Sequence, residues 1–242
     1  MEKIKVLGIC GSPRPKGNSM YLLEEAMKSA AEAGSFVETE IYSMGGKGKY
    51  FAPCDSCFTC ANTGDCRHKD SFQELRDKWY EADAIIYSVP IYHMTYPAQL
   101  RAFIDRLGNS SFGYYHSEIT KELKVVGSMA QGTHIFSGQE HTITDLINHA
   151  LVMGCLPISG DTWESYIGVG GWTENNTSKN AMEKLYNAGN YDAQCTMKAA
   201  RSMGRRVAQV ALIVKSGALA NEQMLKADGG FNALYQRIEK NS

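Results

Sequence analysis

Residues 3–19 read KIKVLGICGSPRPKGNS, and the fold follows from how this stretch divides. Residues 3–11 (KIKVLGICG) form a short run rich in apolar and β-branched side chains, the pattern of a buried strand. The run empties into Ser12-Pro13-Arg14-Pro15-Lys16-Gly17. From Asn18 onward, apolar positions recur at helical spacing through Leu22, Leu23, Ala26 and Ala30, and Gly34 stops the helix. A short polar loop between a buried strand and a helix N-terminus is a ready phosphate site, because free backbone N–H groups and the positive dipole end converge there. The hydroxyls of Ser12 and Ser19 and the amide of Asn18 can donate to phosphate oxygens, and Arg14 adds charge and bidentate hydrogen bonds. Gly17 is followed by Asn18-Ser19, so GxxxxGK[ST] is not met, and GxGxxG is absent. A monophosphate such as that of FMN fits better than a triphosphate. The plainer alternative is a solvated turn with an ordinary Asn or Ser helix cap.

The alternation continues along the chain. Strands are expected at residues 36–42, 83–89 and 123–129, with a short last one at 156–159, and helices at 71–81, 97–107 and 139–153. A further amphipathic helix is expected at 193–215, with Met197, Ala200, Met203, Val207, Val210 and Val214 on one stripe. Residues 45–69 are rich in Gly and Cys and read as a long loop, and 160–191 carry no assignable pattern. The first domain is taken as 1–215, and 216–242 as a C-terminal extension with one helix around 231–238. Five strands separated by helices require crossover connections, hence an α/β fold with a parallel sheet covered on both faces. Ligands of such sheets bind beyond the carboxyl ends of the strands at the switch point, which directs attention to the loops after the first, third and fourth strands.

The third strand ends in Pro90-Ile91-Tyr92-His93-Met94-Thr95-Tyr96-Pro97. This aromatic-rich turn suits a flat heterocycle, or else it simply buries Tyr92 and Tyr96 under the next helix. The fourth ends in Ala130-Gln131-Gly132-Thr133-His134, small and polar where a ring edge needs donors. His93 and His134 are either proton donors near neutral pH or ordinary surface histidines.

Cys54, Cys57, Cys60 and Cys66 stand as C-x2-C-x2-C-x5-C. Three thiols at x2 spacing can wrap one side of an iron–sulfur cubane, with the fourth from the turn beyond. Zinc more often takes two separated pairs, and it stays open as the alternative. Cys10, Cys155 and Cys195 are isolated and read as packing residues. With a net charge of -1 the chain has no basic excess for nucleic acid or an anionic membrane. No run approaches the roughly 20 apolar residues of a membrane span. With no export signal read at the start, a cytoplasmic, reducing setting is expected, where clustered thiols hold metal or do chemistry.

With GSPRPKGNS (11–19), CDSCFTCANTGDC (54–66) and SVPIYHMTYPAQLRAFIDR (88–106) in hand, the chain resembles the iron–sulfur flavoprotein branch of the NADPH-dependent FMN reductase family. The resemblance implies a flavodoxin-like fold. It implies that Ser12, Arg14, Gly17, Asn18 and Ser19 hold the FMN phosphate. Pro90, Ile91, Tyr92, His93 and Met94 would line the isoalloxazine, and Ala130, Gln131, Gly132 and Thr133 would close its far edge. Cys54, Cys57, Cys60 and Cys66 would ligate a 4Fe–4S cluster. It further implies dimers or dimers of dimers, with electrons taken from NAD(P)H or ferredoxin and passed to a small-molecule acceptor. An electron carrier with no organic substrate of its own is the alternative, and so is a flavin or quinone reductase with structural zinc. The chain departs from the family at 160–191, where Trp163, Tyr166 and Trp172 could wall a pocket or pack an interface, and in its C-terminal tail.

Overall fold

The computed structural model describes residues 3–114 and 120–241. Strand β1 (Ile4–Cys10) leads to α1 (Asn18–Ala31) and β2 (Val37–Ser43). A short α2 (Thr59–Thr63) then precedes α3 (Ser71–Glu81), β3 (Ala84–Pro90) and α4 (Ala98–Tyr114). Next come β4 (Val125–Gly132), α5 (Gln139–Val152), β5 (Leu156–Pro157) and β6 (Val169–Trp172). Helices α6 (Ala181–Asn187), α7 (Tyr191–Ala220), α8 (Glu222–Leu225) and α9 (Asn232–Lys240) complete the chain.

The sheet runs β2-β1-β3-β4-β5, every pairing parallel, so the order reverses between β1 and β3. The period of two along the strands decides which face each side chain joins. Ile4, Val6 and Cys10 of β1 and Ala84 and Ile86 of β3 bury against α1 and α7, with Leu22, Leu23, Met197, Met203 and Val207. Leu7, Ile9, Ile85, Tyr87 and Val89 bury on the other face with Phe72, Trp79, Phe103 and Leu146 of α3, α4 and α5. No helix among the described residues is long and apolar enough to cross a membrane.

Four expectations are corrected. The sheet has six strands rather than five, because its last position is shared. β5 pairs with Val125 and Val126, whereas β6 pairs with Met129 to Gly132 further along the same strand. β6 reads VGGW, without alternation, and owes its conformation to pairing with β4 and to the close approach of Gly171 to Thr196. The loop at 45–69 holds α2, and α4 runs on past Leu107 to Tyr114. That last turn is supported by tertiary contact, since Gly113 lies against Ala61 of α2. Finally, a boundary at 215/216 falls inside α7.

The α1–α7 contact depends on Gly204, where an added Cβ would lie 1.8 Å from the Ala26 carbonyl oxygen. Because that neighbour is backbone, the helices must part to accept even a methyl group. Gly204→Ala is expected to cost about 1–3 kcal/mol, read as a lower urea midpoint at unchanged slope.

His149 of α5 predicts acid sensitivity. Its ring sits edge-on to Tyr87 at 6.2 Å, and Nε2 is buried without a hydrogen-bond partner. Burial, aided by Arg101, pushes the imidazole pKa down to about 4. Between pH 4 and the ordinary value near 6.5, the unfolded chain binds the proton and the folded chain does not. Stability is therefore intact above that range and falls as pH drops through it, by about 3 kcal/mol in all. His149→Leu is expected to lose less stability than the wild type between pH 7.5 and 4.5 in urea titrations. Equal losses would refute the assignment.

Candidate functional site

Two sites lie on this scaffold, and the first is at the carboxyl end of the sheet. β1 stops at Cys10, the Gly11 amide donates to the Ser88 carbonyl (3.0 Å), and Ser12 Oγ accepts from the Arg14 amide (3.1 Å). The cap of α1 is Gly17, with no side-chain hydrogen bond to the first turn. The ordinary Asn or Ser cap is thus excluded, and the first amides of α1 stay available to a ligand. Ser12, Arg14, Gly17, Asn18 and Ser19 line one cleft together with Pro90, Ile91, Tyr92, Gln131, Thr133 and Thr177. Arg14 is exposed and joins no ion pair among the described residues, so its charge is free for a bound anion. Asn18 departs from the expected role: its Nδ2 donates to the Ser178 carbonyl and its Oδ1 accepts from the Met182 amide, both at 3.1 Å.

On the ring side, Tyr92 and Thr95 exchange backbone hydrogen bonds (2.7 and 3.1 Å) around His93 and Met94. Both central residues are left-handed, with φ of 47° and 73°. A tight turn of this kind normally takes Asn or Gly, and the two side chains cost on the order of 1 kcal/mol or more each. Packing holds it, since Thr142 Oγ1 donates to the Met94 carbonyl (3.3 Å) and Thr95 Oγ1 to Asp145 (2.9 Å). Gly138, at φ 107°, lets α5 start against that turn, for a Cβ there would stand 2.3 Å from the Met94 oxygen.

Not every expected residue reaches the cleft. His93 is exposed at the tip of the turn, and Met94 opens instead on a neighbouring cleft with Ile135, Phe136, His141 and Trp172. Ala130 is fully buried in the core, and Gly132 packs against Ser137 behind the lining of Gln131 and Thr133. Trp163 and Tyr166 stack on each other at 6.1 Å and are largely exposed, so neither walls this cleft. Thr177 is the lining residue that sequence reasoning missed, because the polar run around it carries no periodicity.

The second site brings all four clustered cysteines around one cavity of about 220 Å³, shared with Asp55, Phe58, His68, Arg106, Asn109 and Phe112. Left-handed backbone at Ser56 (φ 55°) and Phe58 (φ 57°) turns the chain between successive cysteines. Asp70 anchors the loop, capping α3 through the Phe72 amide (2.8 Å) and accepting from the Ala52 amide (2.9 Å). Arg106, whose side chain is wholly buried, reaches both Asp70 oxygens (2.9 and 2.8 Å) and the His68 carbonyl (2.7 Å). Its Nε donates to Cys66 Sγ at 3.3 Å, and one turn further along α4 Asn109 Nδ2 donates to Cys54 Sγ at 3.4 Å. Burial, together with the other three cysteines, pushes the Cys60 thiol up. Four ionised sulfurs cannot share this cavity unaided; cations among them would relieve the repulsion, so the donor set suits a metal group. Among the described residues, no three His, Cys, Asp or Glu side chains converge tightly enough to hold a single ion.

A model of the NADPH-dependent FMN reductases matches residues 4–165, the span that carries both sites apart from Thr177. The chain belongs to that family. An iron–sulfur flavoprotein of Methanocaldococcus jannaschii is 32% identical over 213 residues, which cover 88% of this chain and 100% of the relative. An iron–sulfur flavoprotein of Methanosarcina thermophila is 30% identical over 166 residues, covering 66% of this chain and 83% of that one. These relatives place this FMN reductase family member in the iron–sulfur flavoprotein branch, and it is an FMN-dependent oxidoreductase. Among solved structures, the fold is shared with an NAD(P)H:quinone oxidoreductase from Methanothermobacter marburgensis. That match has a TM-score of 0.60 at 15% identity and covers 85% of this chain and 96% of the other. RosB, solved with a bound 8-demethyl-8-formylriboflavin-5'-phosphate intermediate, gives a TM-score of 0.62 at 17% identity, over 93% of this chain and 88% of the other.

Proposed function

We propose that this oxidoreductase holds FMN in the cleft at the carboxyl ends of β1, β3 and β4 and a 4Fe–4S cluster on Cys54, Cys57, Cys60 and Cys66. It takes electrons from NAD(P)H or ferredoxin and delivers them to a small-molecule acceptor. When bound, the flavin supplies hydride acceptance and one-electron release, and the cluster supplies a one-electron store. The chain's own contribution is placement and electrostatics. Arg14 and the uncapped amides of α1 bind the phosphate, while Pro90, Ile91, Tyr92, Gln131 and Thr133 offer backbone and side-chain edges to the ring. Arg106 and Asn109 hold the sulfurs of Cys66 and Cys54 and favour the more negative state of whatever those sulfurs ligate.

The observation that supports the cluster reading is that the four cysteines line one cavity of about 220 Å³ together with Phe58, Ala61, Phe112 and Gly113. A zinc ion wants four sulfurs about 2.3 Å from one centre, whereas a cluster binds each thiolate at a different iron and needs room between them. The apolar cleft of Met94, Phe136 and Trp172, beside the flavin cleft, supports an enzyme with its own acceptor over a pure carrier. Exposed Trp163, Tyr166 and Tyr191 supply apolar surface for the homodimer or homotetramer that the family resemblance implies.

The test is the absorption spectrum of anaerobically purified protein, with iron, zinc and acid-labile sulfide assayed on the same sample. Flavin bands on a broad brown absorbance, with about four irons and four sulfides per chain, are expected. Zinc without sulfide would leave a flavin reductase with a metal-stapled loop. Turnover of NAD(P)H with a panel of quinones and other acceptors separates enzyme from carrier.

A further inference from the structure

The segment at 173–179 lies beyond the family match, which ends at residue 165. We infer that it is a strap across the phosphate end of the flavin cleft, and that the Thr177 hydroxyl is a ligand of the flavin's phosphomonoester. This inference rests on the cleft being the FMN site.

The strap is tied at two ends to the two loops that frame the cleft. At one end, the Asn175 amide donates to the Thr133 carbonyl (2.9 Å), and Asn175 Oδ1 meets His134 Nδ1 at 2.5 Å. At the other, Asn18 in the first turn of α1 binds the Ser178 carbonyl and the Met182 amide, both at 3.1 Å. Between the ties the strap is internally braced. Buried Thr173 Oγ1 donates to the Asn176 carbonyl (2.7 Å), and Asn176 Oδ1 accepts from the Ser178 amide (2.9 Å). Glu174 and Asn175 are left-handed, at φ 48° and 64°. Such backbone persists where the surroundings over-determine it, and here Asn190 Nδ2 holds the Glu174 carboxylate at 2.7 Å.

Thr177 stands between the two ties and lines the same cleft as Ser12, Arg14, Gly17, Asn18 and Ser19. Its hydroxyl has no hydrogen-bond partner among the described residues. The Asn18 amide, expected to serve the phosphate, is committed to the strap, and in exchange the strap delivers a hydroxyl to the same anion. A hydrogen bond to a charged phosphate oxygen is worth a factor of roughly ten or more in affinity. A ligand without the phosphate gains nothing from it, so the strap separates FMN from riboflavin.

The test uses the full chain loaded with FMN or with riboflavin, diluted, with flavin release read by fluorescence at equilibrium. Thr177→Val keeps the shape and removes the hydroxyl. It is expected to raise the FMN Kd roughly tenfold and to leave the riboflavin Kd unchanged. Equal weakening of both flavins would make Thr177 a structural residue and overturn the inference, as would no change in either. Arg14→Gln, measured alongside, guards the underlying reading. If it too spares FMN, the cleft is not the phosphate site. If it weakens FMN while Thr177→Val is silent, the cleft stands and the strap ligand falls.

Discussion

Cys66→Ser is expected to strip the chain of iron and acid-labile sulfide while its flavin stays bound. Iron–sulfur clusters are held by thiolates, and a serine hydroxyl is a harder, far less acidic donor. Cys66 is also the thiol that Arg106 grips through Nε, so its loss removes the proposed ligand and the hydrogen bond that places it. The fold should survive the exchange. Arg106 retains Asp70, the His68 carbonyl and its position 4.1 Å over the Phe72 ring, and Asp70 retains its cap on α3. None of the residues lining the cysteine cavity lines the flavin cleft, which predicts an unchanged flavin content. The measurement is iron and sulfide per flavin, expected to fall from about four to well below one. Cys195→Ser, in α7 and outside the cavity, is the control that should keep its iron. Full iron and sulfide in Cys66→Ser would sink the assignment of that ligand.

The second large effect lies at the opposite end of the sheet. Asp83, just before β3, accepts from the Lys5 amide (3.1 Å), from Lys215 of α7 (3.4 Å) and from Arg237 of α9 (3.3 Å). Arg237 also meets Glu122 at 3.0 Å, and Lys124 donates to the carbonyls of Tyr80 and Ala82 at 2.9 Å each. All five charged side chains are buried. Burial, with Arg237 nearby, lowers the Lys124 pKa to about 8. Charges taken out of water are tolerable only while each keeps its partners. Asp83→Ala would leave Lys215 and Arg237 short of a counter-charge and take the acceptor from the partly buried Lys5 amide. The expected loss is about 3–5 kcal/mol, or a fall in Tm of roughly 6–20 °C for a chain of this size. The same change should loosen α9, which rests on Arg237 and on the small cluster of Ala218, Leu234, Tyr235 and Ile238. Calorimetry of Asp83→Ala beside Arg237→Met tests this, and a Tm within a degree of wild type for both would show that the network is dispensable.

How much of this was legible depends on the range of the interactions involved. The element types of β1, α1, β2, α3, β3, β4 and α5 follow from periodicity, because neighbours along the chain decide which face they bury. The polar loop after β1 and the x2 spacing of Cys54, Cys57 and Cys60 are equally local. The strand shared between β5 and β6 was not legible. Its second half, VGGW, has no strand pattern, and pairing with β4 some 40 residues earlier makes it one (Met129 opposite Val169). Nor was the behaviour of Asn18, whose residue type suggests a phosphate donor and whose partners lie 160 and 164 residues away.

By itself, then, the amino-acid sequence determined the α/β alternation, the place of the switch point, and the polar loop after β1 and the cysteine loop as the two places to look for chemistry. Each of these is written in spacings of two, three or four residues that a local pattern can carry. Tertiary structure alone decided that Arg106 and Asn109 meet the sulfurs of Cys66 and Cys54, that Thr177 lines one cleft with Arg14 and Ser19, and that five buried charges close on one another at the amino end of the sheet. Those contacts join residues tens to more than a hundred positions apart, and packing, not periodicity, brings them together.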